Sequence, residues 1–124
     1  MLNYPLDIWT VNAAVEGVAG VVAMMAPQLM PMFKSLRSGQ GPLAVRFWAA
    51  SIMSLAVISF FVSPFPDSPE KGIIALGMGL YHVLLTILLI PGPPQVYVGF
   101  LVHVPFAALF LNYARLHSNL HIHL

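Results

Sequence analysis

Four stretches of this chain, each close to twenty residues long and nearly free of charge, decide most of what it can fold into. They run over about 7–25, 42–62, 72–90 and 95–116. A hydrocarbon core ~30 Å thick is crossed by about 20 helical residues. Inside that core no water satisfies the backbone, so each stretch must close its own hydrogen bonds as a helix. Only 7% of the 124 residues are charged and 59% are hydrophobic, against about 25% charged in a soluble domain. Mean hydropathy is +0.86. The second and third connections are short, which makes consecutive helices antiparallel neighbours. The expected fold is therefore all-α: one transmembrane domain over 1–124, an up-down-up-down four-helix bundle. The first stretch lacks a basic segment before it and a convincing cleavage site after it, and reads as a retained span.

The punctuation agrees with those bounds. Asp7 or Asn3 can cap the first span, Trp9 suits the membrane–water interface, and Ala26-Pro27 stops the helix. Residues 27–37 are amphipathic: Leu29, Met30, Met32, Phe33 and Leu36 alternate with Lys34 and Arg37. That pattern suits a short helix lying in the interface, or an ordinary connecting loop. Pro42 is a good first-turn residue for span two. Three prolines between Ser63 and Pro69 end it. Glu70 and Lys71 open span three, and Pro91-Gly-Pro-Pro94 closes it. Pro105 inside span four predicts a kink and frees the carbonyl of Leu101. Small residues on span one (Ala13, Gly17, Gly20) and span three (Gly72, Gly77, Gly79) permit close helix approach. The tail with His121 and His123 reads as a frayed, solvated end, and no metal site is expected there.

Several function classes are excluded. A net charge of +1 offers no basic patch for nucleic acid. Cysteine is absent, which removes disulfides, thiolate nucleophiles and iron–sulfur clusters. No phosphate-cradling glycine loop is present. Orientation is undetermined by charge: Lys71, Arg115 and the α-amino group share one side, and Lys34, Arg37 and Arg46 the other.

The polar residues inside the spans carry the functional signal. At ~1.5 Å per helical residue, Glu16 lies roughly 12–15 Å below one face, His82 about 16 Å and His103 about 12 Å from the opposite face. All three come within a turn or so of the midplane, on three different helices. An ionisable group at that depth is costly and calls for a partner. Arg46, one turn into span two, is the expected countercharge for Glu16, across an axial offset on the order of 9 Å. Asn12 stands one turn before Glu16 on the same face. Asn112 reaches a similar depth from span four, and Tyr81, Ser51 or Ser54 can extend the polar track.

The order of these features resembles the small DoxX-like four-span membrane proteins, over essentially the whole chain. It comprises Glu16 followed by Ala26-Pro27, Arg46-Phe-Trp48, Tyr81-His82, then His103 with Tyr113-Ala-Arg115. The resemblance implies a four-helix transmembrane bundle. A fainter similarity, in chemistry alone, is to the fungal integral membrane terpenoid cyclases, which protonate a lipophilic substrate with buried carboxylic acids.

The expected function is a membrane-embedded enzyme performing acid–base isomerisation or cyclisation of a lipophilic small molecule, without cofactor or metal. Glu16 is the expected acid, His82 and His103 move protons or orient the substrate, and Arg46 tunes Glu16. Asn12, Tyr81 and Asn112 are the expected substrate-binding residues. Two alternatives stand beside it: a non-catalytic accessory subunit of a larger membrane complex, and a haem or metal carrier using the two histidines. The small-residue faces also allow a homodimer.

Overall fold

The computed structural model describes residues 7–30, 41–90 and 94–118. It is all-helical among these residues, with α1 over Ile8–Met25, α2 over Gly41–Val62, α3 over Pro69–Leu89 and α4 over Phe100–His117. Each is long and apolar enough to cross a membrane, as expected of a multi-pass membrane protein. The observed bounds fall close to the predicted ones, and the differences have local causes. Helix α3 begins three residues early because Ser68 caps it: the Ser68 hydroxyl accepts from the Lys71 backbone N–H at 3.2 Å, and Pro69 takes the first turn. Serine followed by proline is a helix start, since proline has no N–H to leave unsatisfied. Before α4, residues Pro94–Gly99 wind as a 3-10 helix in place of the α-helix predicted from residue 95. The amphipathic segment is described only at its start, where Pro27–Leu29 form one 3-10 turn; the rest of that expected interfacial helix lies outside the described residues.

The chain divides into two compact units, Met1–Pro64 and Phe65–Leu124. In the first, α1 and α2 pack antiparallel. Asp7 caps α1, accepting from the Thr10 backbone N–H at 2.7 Å. The other end of α1 closes with the Ala26 N–H donating to the Val22 carbonyl at 2.8 Å, just before Pro27. The buried residues of α1 are Trp9, Asn12, Glu16, Gly20 and Ala23, spaced three or four apart as one helical face requires. On α2 the buried set is Val45, Ala49, Ile52, Ala56, Ser59 and Val62, with the same spacing. Gly20 lets the two helices approach: a Cβ there would lie 3.3 Å from the Ala49 carbonyl oxygen and run into Met53.

In the second unit, α3 and α4 form an equally close antiparallel pair. Gly72 faces the C-terminal end of α4, where a Cβ would sit 2.5 Å from the Ser118 nitrogen. Gly79 meets Leu111 in the same way, at 2.8 Å. Along this pair α3 buries Ala75, Met78 and His82, and α4 buries His103, Phe106, Ala107, Phe110 and Ala114. Arg115 and His117 occupy the last turn of α4, where the helix dipole favours cations. Pro105 lies inside α4 and supplies no N–H, so the Leu101 carbonyl lacks its helical bond.

Candidate functional site

The buried polar arrangement of α3 and α4 is a histidine pair. His82 is fully buried and His103 is 6% exposed. Their Nδ1 atoms lie 3.0 Å apart, a hydrogen bond between two imidazoles. Aromatic rings hold the pair. His82 stacks on Phe106 at 5.2 Å and on Phe110 at 6.0 Å, and Tyr81 meets it edge-on at 5.2 Å. Phe106 and Phe110 follow His103 by three and seven residues, so one face of α4 presents all three. The Thr86 hydroxyl donates to the His82 carbonyl at 2.8 Å, a bond within the next turn of α3. In the low dielectric of a bundle interior such a bond is electrostatically stronger than in water.

The bond dictates a chemical asymmetry. A neutral imidazole has one N–H and one bare nitrogen. When one Nδ1–H donates to the other Nδ1, the donor ring keeps a bare Nε2 and the acceptor ring carries an Nε2–H. The pair therefore presents one proton acceptor and one proton donor at its outer nitrogens. Taking up a proton at the first, releasing one from the second and moving the shared proton across the 3.0 Å line together exchange those roles and leave both rings neutral.

The first unit holds a different polar layer. Asn12 is fully buried and donates through Nδ2 to Ser59 Oγ at 3.0 Å; Ser59 is also fully buried. Glu16 follows one turn later on the same face of α1 and is 2% exposed. Nearer the end of the pair, Thr10 and Ser63 bring their hydroxyls to 2.9 Å, and Ser63 donates to Asp7 at 3.1 Å.

Some expected members of the site lie elsewhere. Arg46 is exposed, and among the described residues no ion pair joins it to Glu16. The reason is helical phase. Val45 and Ala49 turn inward, so Arg46, the residue between them, points its guanidinium outward, where a long cation reaches water most readily. Asn112 is also exposed and accepts from Arg115 Nη2 at 3.0 Å, so it lines no inner track. Ser51 and Ser54 are exposed and bond back to the carbonyls of Phe47 and Ala50, within their own helix. Ser59, Phe106 and Phe110 were not singled out by the sequence. For Ser59 the usable signal is its spacing of three from Ala56 and seven from Ile52, on the buried stripe of α2.

A charged cluster closes the loop end of the second unit around Asp67, which lies between α2 and α3 and outside the spans. Lys71 is 5% exposed, donates from Nζ to the Phe65 carbonyl at 2.7 Å and lies 3.7 Å from Asp67. The Tyr113 hydroxyl donates to Asp67 Oδ1, and His117 Nε2 lies 3.9 Å from Oδ2. The Tyr113 hydrogen bond holds the Asp67 carboxyl below its ordinary value, and the charges of His117 and Lys71 add to it.

No protein-family model, no curated protein and no solved structure matches this chain.

Proposed function

We propose that the chain is a membrane-embedded acid–base catalyst that shifts a proton on a lipophilic small molecule, an isomerisation or cyclisation. The observation that supports this reading most strongly is the buried His82–His103 bond of 3.0 Å between Nδ1 atoms. Imidazole is the side chain best suited to exchanging protons near neutral pH. In this pair one outer nitrogen takes a proton from the substrate while the other gives one back. The shared proton crosses between the Nδ1 atoms, and both rings end neutral with their roles exchanged. No net proton enters or leaves, which suits a reaction in a medium that stabilises charge poorly. Tyr81, edge-on to His82, is the neighbouring group suited to hold a polar substrate atom. Glu16, a carboxyl group buried in the first unit, is the candidate acid for substrate activation.

The reading is tested without knowing the substrate. Purified protein in lipid discs is incubated in D2O with a lipophilic extract of its source membranes, and the extract is analysed by mass spectrometry. The expected result is one compound class that gains deuterium with the wild type and fails to do so with His82→Phe or His103→Phe. Glu16→Gln abolishes exchange while the protein stays folded; if it unfolds the protein instead, the carboxyl is structural. Absence of any deuterated compound, or full exchange by the histidine variants, overturns the reading. The imidazole pair also favours a second reading, a metal or haem carrier, because two imidazoles are a usable ligand set. Binding there exchanges the nitrogen–nitrogen bond for metal–nitrogen bonds of about 2.0–2.1 Å in the case of zinc. Elemental analysis and an absorption spectrum of the purified protein decide it.

A further inference from the structure

The first unit carries two hollows on the surface of α1, and they differ at their ends. One, about 470 Å³, is lined by aliphatic side chains only, among them Val15, Val18, Val22 and Met30. The other, about 520 Å³, runs between α1 and α2 from Thr10 to Val21, a length of roughly 16 Å along the helix. Its floor is made of small residues, Ala13, Gly17 and Ala56, and its outer wall of the exposed rings Phe60 and Phe61. Thr10 lines one end, and directly behind it are Ser63 and Asp7: the Thr10 and Ser63 hydroxyls meet at 2.9 Å and Ser63 donates to Asp7.

We infer that this second hollow is a binding site for a long-chain alcohol, aliphatic or isoprenoid, with its hydroxyl at the Thr10 end and its chain along Gly17 toward Val21. The shape asks for a single slender chain: the floor is hollowed where side chains are smallest, and the length runs along the helix axis. The polar end selects the head. Asp7 Oδ1 accepts the Thr10 N–H, and both carboxyl oxygens accept from Ser63, which leaves further lone pairs for one more donor. The Ser63 and Thr10 protons are committed to Asp7 and to Ser63, so an alcohol donates into this end, to Asp7 or to the lone pairs of Thr10 Oγ, and an ether cannot. The acidic Asp7 side chain disfavours a fatty acid or phosphodiester head, so the bulk lipids of a bilayer are poor occupants of this end. The lining lies wholly in the first unit, and the inference does not rest on the histidine chemistry.

The test uses the full chain in phospholipid discs with a diazirine-bearing long-chain alcohol, and with its methyl ether as the probe lacking the donor. Crosslinked peptides are mapped by mass spectrometry. Labelling by the alcohol is expected to be saturable and to fall on Gly17, Met53 and Phe60. The ether binds roughly tenfold more weakly, the worth of one hydrogen bond to a carboxylate. Thr10→Val weakens the alcohol and leaves the ether unchanged. Gly17→Leu fills the floor and removes labelling; its nearest obstacle is the Ala56 Cβ at 3.7 Å from the new Cβ, an ordinary contact. Val57→Trp fills the hollow from α2 and guards against a folding defect in the first variant. Val18→Leu, in the all-aliphatic hollow, changes nothing. Equal, unsaturable labelling of both hollows overturns the inference, as does equal binding of alcohol and ether. High-yield crosslinking of a Val57→Cys variant between two copies, without alcohol labelling, assigns the hollow to a second copy and equally overturns it.

Discussion

The buried hydrogen bond between α1 and α2 joins an amide to a hydroxyl, Asn12 to Ser59, whereas the one between α3 and α4 joins two imidazoles. Both serve the same structural need. Lipid supplies no hydrophobic drive between helices, so close packing and interhelical polar bonds must hold a pair together. Neither Asn12 nor Ser59 gains or loses a proton in the ordinary pH range, so their bond can only position. The imidazole bond positions and also carries a mobile proton. The approaches differ too: Gly20 lets α1 close on the flexible Met53 side chain, whereas Gly72 lets α3 close on the backbone of α4. The contrast belongs to these two crossings: nearer the histidines, Gly79 meets the Leu111 side chain at 2.8 Å.

The sharpest way to break this contrast is a single methyl group. Gly72→Ala places a Cβ 2.5 Å from the Ser118 nitrogen and 2.8 Å from the His117 carbonyl carbon, both backbone atoms that cannot step aside. Overpacking of this kind typically costs about 1–3 kcal/mol, and the rigid neighbours put Gly72→Ala at the upper end. In Gly20→Ala most of the conflict is with Met53, whose flexible side chain relaxes, and the expected loss is about 1 kcal/mol or less. Gly77→Ala meets nothing within 4 Å; it is expected to stabilise by up to about 1 kcal/mol through helix propensity alone. Thermal unfolding in one detergent ranks the three. Equal losses for Gly72→Ala and Gly20→Ala would sink the distinction between a rigid and a yielding crossing.

Much of the fold was legible because it rests on length and punctuation. Four apolar runs, the Ala26-Pro27 stop and the Ser63–Pro69 break place the helices to within a few residues. The start of α3 was misplaced only because Ser68-Pro69 was read as the end of the preceding break and not as a cap. Axial depth was legible as well, since rise per residue is constant: it picked out the histidines that the structure brings to 3.0 Å. Rotational phase was the harder quantity. Arg46 and Asn112 sit at suitable depths yet point outward, because a helix that is apolar nearly all round gives no moment from which to read its inner face. Ser59 was missed for the same reason. An isolated serine on an apolar helix carries no marker until the stripe of Ala49, Ile52 and Ala56 is known to face α1.

The two polar bonds themselves can be weighed by double-mutant cycles, His82→Phe with His103→Phe, and Asn12→Leu with Ser59→Ala. Interhelical polar bonds in membrane bundles average about 0.6 kcal/mol and reach about 1.7. The imidazole pair, buried among stacked rings, is expected near the upper figure and the amide–hydroxyl pair near the lower. Single replacements cost more than these couplings, because each leaves the surviving partner buried without its bond. Coupling energies that reverse this order would place the structural weight in the first pair and leave the histidines to chemistry alone.

The smallest effect distinguishes the loop ends of the two pairs. At the end of α3–α4, Asp67 accepts from Tyr113 and faces His117 and Lys71. At the end of α1–α2, Asp7 accepts from Ser63 and from the Thr10 N–H, both neutral donors. The Asp67 carboxyl is held below its ordinary value, so the unfolded chain binds its proton more readily than the folded one does. Its contribution to stability is therefore complete above the ordinary aspartate range near ~3.9 and is lost as pH falls through the lower folded value. Asp67→Asn is expected to flatten the acid limb of a stability–pH curve in that window and to lower the neutral plateau slightly without changing its slope. The side chain is 56% exposed, so water screens the two cations and the change is small. Salt separates the contributions: raising ionic strength weakens the pull of His117 and Lys71 while leaving the Tyr113 hydrogen bond in place. Most of the acid-limb slope should thus survive high salt in the wild type and vanish in Tyr113→Phe, since the hydroxyl and not the cations holds this carboxyl down.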